Sequence, residues 1–310
     1  MDAKTGKILI IVGPTAVGKS ALALWLAQEY SGEIISCDSM QVYRGFDVGT
    51  DKPRPEARKK VPHHLIDIIE PEEQFSAADF ARLAVEIAGE VINRGHLPIV
   101  VGGTGLYHRA LVQGLFPGPG RDSALRQLLK KEASELGLET LYERLKQVDP
   151  DYAAKISPRD GIRIIRALEV YQLTGQPISH HFQNTSSPAR EKGFILRQIG
   201  LKLERKELYR RIEARVDRMF AQGIVEEVKN LLAKGVPEKA TPFNGLGYRQ
   251  VLKYLKGEIS LQEAINETKL ETRHYAKRQL TWFRKSPGLV WFEPEDRESI
   301  RNYVENEVLR

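Results

Sequence analysis

The sequence predicts an α/β protein: a P-loop-type parallel sheet flanked by helices, with an inserted helical subdomain and a helical C-terminal region. Three observations predict it. Residues 7–12, Lys-Ile-Leu-Ile-Ile-Val, are a β-branched and aliphatic run suited to a strand buried on both faces. They lead through a glycine loop into the helix formers of 21–29. Residues 97–101, Leu-Pro-Ile-Val-Val, run in the same way into a second glycine turn, Gly102-Gly103-Thr104-Gly105. The aliphatic runs stop at a Pro/Gly-rich break, 114–120, and return at 194–201, with helix and turn formers between.

The loop after the first strand is Gly13-Pro14-Thr15-Ala16-Val17-Gly18-Lys19-Ser20, a match to G-x-x-x-x-G-K-[ST]. Strand, glycine loop and helix together aim backbone N–H groups and a helix N-terminus at an anion. Lys19 adds a point charge, and the Ser20 hydroxyl is the candidate Mg²⁺ ligand. The pattern specifies phosphate or pyrophosphate, not a nucleotide or a reaction. Residues 33–37 read as a second buried strand that delivers Asp38 at its carboxyl end, where open parallel sheets hold their ligands. Asp38 is therefore expected near the phosphate loop, with a turn or N-cap aspartate as the alternative. Cys37 reads as a small buried filler.

Residues 50–62, rich in Pro, Lys and Arg, read as a surface loop, and 63–69 as a third strand. The His63–His64 pair is a poor metal site, because adjacent side chains on a strand oppose each other. Ser76 to Asp79 opens an amphipathic helix with Phe80, Leu83, Ala84, Ile87 and Val91 at helical spacing and Gly95 as its stop. In the second glycine turn, Thr104 is a candidate hydroxyl donor to substrate.

Between 121 and 179, Leu125, Leu128 and Leu129 mark one helix face and Leu141 and Leu145 another. Ile162, Ile165, Leu168 and Val170 mark a third helix, ended by Thr174 to Pro177. A polar link occupies 183–192. We take 121–192 as an inserted helical domain, and 1–120 with 193–310 as the core domain. Arg159, Arg163 and Arg166 make the insertion basic, which a solvated helix face also explains. Residues 204–235 are mostly helical, with Arg211, Arg215 and Arg218 on one face, to bind phosphate or to pair with Glu207, Glu213 and Asp217. The 241–250 loop leads into a short helix, and Ser260 to Glu263 is a capping box opening a last long helix. On it Arg273, Lys277 and Arg284 lie within about 40° of one another, while Tyr275 and Trp282 face inward. A basic stripe backed by aromatic anchors suits a nucleic-acid backbone. Residues 289–292 read as a terminal strand.

The 310 residues are 41% hydrophobic and 28% charged, as in an ordinary globular protein, and the net charge of +6 leans towards a polyanionic partner. A single cysteine excludes an internal disulfide and a cysteine-built zinc site. No apolar run has the length of a membrane span or the form of a signal peptide, so a cytoplasmic protein is expected.

GPTAVGKS at 13–20, DSMQVYR at 38–44, VGGTGLY at 101–107, RIIRALEVY at 163–171, GYRQ at 247–250 and AKRQLTWFR at 276–284 occur in that order over nearly the whole chain. Together they resemble the tRNA dimethylallyltransferases, the bacterial tRNA isopentenyltransferases. The resemblance implies transfer of a dimethylallyl group from dimethylallyl diphosphate to N6 of the adenosine 3′ of the anticodon, in tRNAs reading codons that begin with U. It implies Mg²⁺, a monomer, and a channel entered by prenyl donor and adenine from opposite ends. The phosphate loop is then a diphosphate cradle rather than an ATP site. Arg215 is the favoured clamp, with Arg211 and Arg218 as alternatives, and Asp38 is the general base with Thr104 near the same adenine. Ser39, Met40, Gln41, Arg163, Arg166, Gly247 and Tyr248 match tRNA-contacting positions, and Lys277, Arg278 and Arg284 extend the grip. A small-molecule kinase, a prenyltransferase acting on free AMP and a non-catalytic RNA-binding NTPase are the competing readings.

Overall fold

A computed structural model describes residues 6–116, 118–182 and 185–310. Residues 1–5, and the parts of the 114–120 break and the 183–192 link at Pro117, Gln183 and Asn184, lie outside the described residues. The chain divides into two units, Met1–Val112 with Pro188–Arg310, and Gln113–Ser187.

The larger unit is built on β1 (Lys7–Val12), β2 (Gly32–Cys37), β3 (His63–His64), β4 (Leu97–Gly102), β5 (Ile195–Leu201) and β6 (Leu289–Phe292). These six form one sheet in the order β3-β2-β4-β1-β5-β6, and every pairing is parallel. The central strands are buried on both faces, which is why they read as unbroken aliphatic runs. The register aligns their carboxyl ends. Val12 of β1 pairs with Gly102 of β4, and Gly102 pairs with Cys37 of β2. The chain therefore leaves three neighbouring strands at one level of one edge.

Helix α1 (Lys19–Glu29) lays Leu22, Ala23, Leu26 and Ala27 on the sheet. Gly18, with φ of 109°, supplies the left-handed step into it that a side chain would resist. The loop read from 50–62 contains a short helix, α2 (Pro55–Lys60), which buries no residue and so leaves no apolar period to read. The third strand stops at His64 instead of running to 69. Leu65 and Asp67 take left-handed φ values of 60° and 57°, which break the strand, and Ile69 keeps only an isolated bridge to Tyr43.

Helix α3 (Ala77–Asn93) starts with a complete Ser76–Asp79 capping box, and α4 (Gly105–Val112) follows the second glycine turn.

The smaller unit packs α5 (Ser123–Leu136), α6 (Leu138–Val148), α7 (Pro150–Ala153), α8 (Gly161–Thr174) and α9 (Ile178–His181) around Leu129, Leu141, Leu145, Ile164 and Leu168. Two assignments there are corrected. Leu128 is 60% exposed and Ile162 is 86% exposed, while Ile164 is fully buried. Asp160 caps α8 through the Arg163 N–H, which sets a rotation that turns Ile162 outward.

The chain returns to the larger unit through α10 (Pro188–Glu191) and β5. Then come α11 (Arg205–Ala221), α12 (Ile224–Ala233), α13 (Tyr248–Leu255) and α14 (Leu261–Phe283). A helix absent from the sequence reading, α15 (Arg297–Tyr303), follows β6 and continues as a π-turn to Leu309. Ile300, Val304 and Val308 are buried at four-residue spacing against the β1 and β5 core. That stripe was legible, but the charged residues between mask it.

Candidate active site

Three loops converge where β1, β2 and β4 end together. From β1 comes the glycine loop, in which the Lys19 ammonium curls back to donate to the Pro14 carbonyl at 2.7 Å. From β2 comes Asp38, whose Oδ1 accepts the Met40 N–H at 2.8 Å in an Asx-type turn. From β4 comes Gly103-Thr104. Thr104 Oγ1 accepts the Ser39 N–H at 3.1 Å and donates to Ser39 Oγ at 3.4 Å. Its hydroxyl is therefore engaged by the Asp38 turn. Ser39, Met40 and Gln41 continue along the wall, and Gln41 accepts from Ser36 Oγ at 2.8 Å.

These loops bound a cavity of about 420 Å³. Its lining includes Thr15, Lys19, Ser20 and Arg215. Arg215 Nη1 donates to Thr15 Oγ1 at 2.7 Å, and its Nε lies 3.6 Å from the Asp51 carboxylate. Arg211 is instead taken by Glu207 at 2.7 Å and Glu295 at 2.6 Å, and Arg218 is exposed. Burial, and then the Arg215 charge beside it, push the Lys19 ammonium down to about 7, against the pull of Asp38. Gathering Lys19 and Arg215 in one recess favours an anionic ligand, whose charge would restore the Lys19 ammonium.

Asp38 lies on the same cavity, whose lining also includes apolar Met40, Val216, Met219 and Leu246 and charged Arg249, Glu271 and Arg278. Burial raises the thiol of neighbouring Cys37, so it is an inert packing group. Oxygen donors in the lining include the Ser20 hydroxyl and the Asp38 and Asp51 carboxylates. Among the described residues no cluster of three His, Cys, Asp or Glu side chains stands ready to hold an ion.

The wall at 47–51 is held from behind. Glu227 accepts the N–H groups of Asp47 at 3.0 Å and Val48 at 2.8 Å and the Tyr248 hydroxyl at 2.6 Å, while that hydroxyl accepts the Gly49 N–H at 3.1 Å. Tyr248 is thus buried to its ring, and Gly247 before it takes φ of 88°. Tyr275 lines the cavity, and Trp282 packs against Gly105.

Of the basic stripe, Lys277 and Arg284 are exposed and, among the described residues, have no ion-pair partner, while Arg278, off the stripe, lines the cavity and lies over the Tyr275 ring. Arg273 leaves the stripe, paired with Glu213 at 2.5 Å and stacked on Tyr209. In the helical unit Arg163 is exposed beside Asp160 at 3.3 Å, whereas Arg166 is engaged by Glu169 at 2.6 Å and the Pro119 carbonyl at 2.8 Å.

Sequence reasoning passed over Gln279. Its Oε1 accepts the Thr15 N–H and its Nε2 donates to the Gly103 carbonyl, both at 2.8 Å. The signal was present: Thr268, Thr272 and Gln279 are polar residues on the buried stripe of α14.

The IPP transferase family model matches residues 41–286. The chain is 50% identical over 299 residues to the tRNA dimethylallyltransferase of Geobacter metallireducens, covering 96% of each. To that of Geobacter sulfurreducens it is 49% identical over 295 residues, covering 95% of this chain and 94% of the other. Among solved structures it is similar to the full-length tRNA isopentenylpyrophosphate transferase of Bacillus halodurans, with a TM-score of 0.72, 42% identity and coverage of 98% and 97%. A eukaryotic dimethylallyltransferase captured acting on tRNA gives a TM-score of 0.75 at 28% identity, covering 98% of this chain and 77% of that one.

Proposed function

The chain belongs to the IPP transferase family and is a tRNA-modifying prenyltransferase, and on that premise we propose how its cavity is used. Dimethylallyl diphosphate donates its five-carbon group to N6 of the adenosine 3′ of the anticodon, in tRNAs reading codons that begin with U. The observation that carries this reading is one cavity lined by Lys19, Arg215 and Asp38 together.

The N6 lone pair bonds to C1 of the allyl group. The C1–O bond breaks with its electron pair going to diphosphate, and the N6 proton passes to the free Asp38 oxygen. Lys19, Arg215, Thr15 and the loop amides stabilise the charge growing on the leaving group. Thr104 fixes the Asp38 turn through Ser39. The apolar side chains of Met40, Val216, Met219 and Leu246 in the lining shelter the allylic carbon from water. The adenine enters everted from the anticodon loop, where unstacking costs less than in a duplex.

Mg²⁺ fits this donor set, since it takes one or two protein oxygens and completes its shell with substrate phosphates and water. Ser20 would hold it beside the diphosphate, where it would neutralise leaving-group charge. Lys277, Arg278 and Arg284, with Arg163 of the helical unit, supply contacts to the tRNA backbone. All the assigned groups come from one chain, so a monomer suffices, and a tRNA substrate assigns the reaction to the cytoplasm. No helix among the described residues is long and apolar enough to cross a membrane.

The test is incubation with labelled dimethylallyl diphosphate and unmodified tRNA, followed by nucleoside analysis, with AMP and with ATP plus small acceptors in parallel. Label in N6-dimethylallyladenosine from tRNA supports the proposal. Label in AMP alone, or phosphoryl transfer without use of the prenyl donor, overturns it.

A further inference from the structure

The sheet order leaves a gap that two side chains bridge from either side of the β4 turn. The diphosphate loop follows β1 and Asp38 follows β2, but β4 lies between them, so base and cradle are two strand spacings apart, about 10 Å. The Gly103-Thr104 turn fills the middle. Thr104 joins it to the β2 side through Ser39. Gln279 joins it to the β1 side, accepting from the Thr15 N–H and donating to the Gly103 carbonyl. Neither partner can reverse its role, so the orientation of the carboxamide is forced. Gln279 is 5% exposed, and a Cβ on Gly103 would lie 2.3 Å from its Nε2, so the backbone is shaped around this contact.

We infer that Gln279 is a positioning residue: it sets the distance from the diphosphate cradle to the turn that holds Asp38, and so aligns leaving group and base. The inference rests on the transferase reading of the cavity. It assigns Gln279 neither substrate contact nor proton transfer. Its removal must therefore reduce turnover without weakening either substrate.

The test compares wild type with Gln279→Met, which keeps length and loses both hydrogen bonds. Thr104→Val, which removes the hydroxyl contacts to Ser39 and keeps the Thr104 N–H to Cys37 carbonyl bond, is the second variant. Melting curves establish folding, calorimetry with inorganic pyrophosphate and filter binding with tRNA give affinities, and steady-state assays give kcat and KM. A 30-fold or greater fall in kcat in each variant is expected, with pyrophosphate and tRNA affinities within threefold, and a double variant no worse than about the poorer single one. A folded Gln279→Met enzyme with unchanged kcat, or one whose loss lies wholly in KM for the prenyl donor, overturns the inference. If Gln279→Met does not fold, Thr104→Val decides by the same split. A wild type that transfers no label defeats the functional reading instead, which separates the two failures.

Discussion

Arg215 Nη1 donates to Thr15 Oγ1 at 2.7 Å across 200 residues of sequence, so helix α11 closes onto the glycine loop of β1. Thr15 accepts from Arg215 at its hydroxyl and donates to Gln279 from its amide, and the guanidinium, with its Nε 3.6 Å from Asp51, lines the cavity beside Lys19. Arg215→Gln should raise KM for dimethylallyl diphosphate and the dissociation constant of pyrophosphate at least tenfold, with tRNA affinity unchanged. Glutamine ends where the arginine Nε begins, so the variant removes the charge and the Thr15 contact together. Unaltered pyrophosphate affinity by calorimetry would show that the arginine serves only the loop.

Asp38 offers a cleaner substitution than truncation. Its Oδ1 holds the Met40 N–H at 2.8 Å, and asparagine can keep that contact while losing the base. Asp38→Asn should lower kcat by at least a hundredfold and leave tRNA binding within a few-fold. Single-turnover assays with saturating donor measure it. A rate within tenfold of wild type would move the proton to another acceptor.

The parts of this fold that sequence made legible are those where one local signal decides the outcome. The β1 run, the glycine loop and the Ser76 and Ser260 caps are such cases, each fixed by residues within one turn of each other. What escaped depends on distant partners. Ile162 has the right spacing for a core residue, yet Asp160 caps the helix at a rotation that exposes it. Arg273 looks like a member of a binding stripe until Glu213, sixty residues away, is seen to hold it. Gln279 lies inside the AKRQLTWFR motif, but the motif does not single it out, and its role exists only where β1 and β4 meet. In the same way, Arg211, Arg215 and Arg218 are equal candidates by spacing, and Glu207 and Glu295 draw Arg211 away from the loop.

Glu33 should govern the acid limb of stability. Its side chain is 4% exposed at the start of β2. Burial alone would raise its carboxyl, but hydrogen bonds from Arg94, His64 and His96 outweigh burial and hold it down at about 2. A carboxyl depressed in the folded state stabilises fully above its unfolded value near 4.5, and that contribution is lost as pH falls towards 2. The contribution is ~2 kcal/mol after allowing for screening by the half-exposed Arg94 and His96. Glu33→Gln should therefore melt several degrees below wild type at pH 7, and the two should converge as pH falls from about 4.5 to about 2.5. Parallel melting curves across that range would remove Glu33 from the account.

Lys277 and Arg284 test the nucleic-acid face. Both are exposed on α14 without an ion-pair partner among the described residues, so their replacement breaks no structural contact of the kind that Arg273 makes with Glu213. If each neutralises one phosphate, each releases close to one counterion on binding. The double variant Lys277→Ala, Arg284→Ala should weaken tRNA binding at low salt and reduce the slope of log K against log salt by about 1.5. Turnover at saturating tRNA should stay within a few-fold, because neither residue lines the cavity. Arg273→Ala is the internal control. It removes the same charge from the same helix, but a paired one, and should lower the melting temperature while leaving the salt slope nearly intact. A slope unchanged in the double variant would mean that these cations face solvent in the complex as they do in the free protein, and that the tRNA grip lies elsewhere.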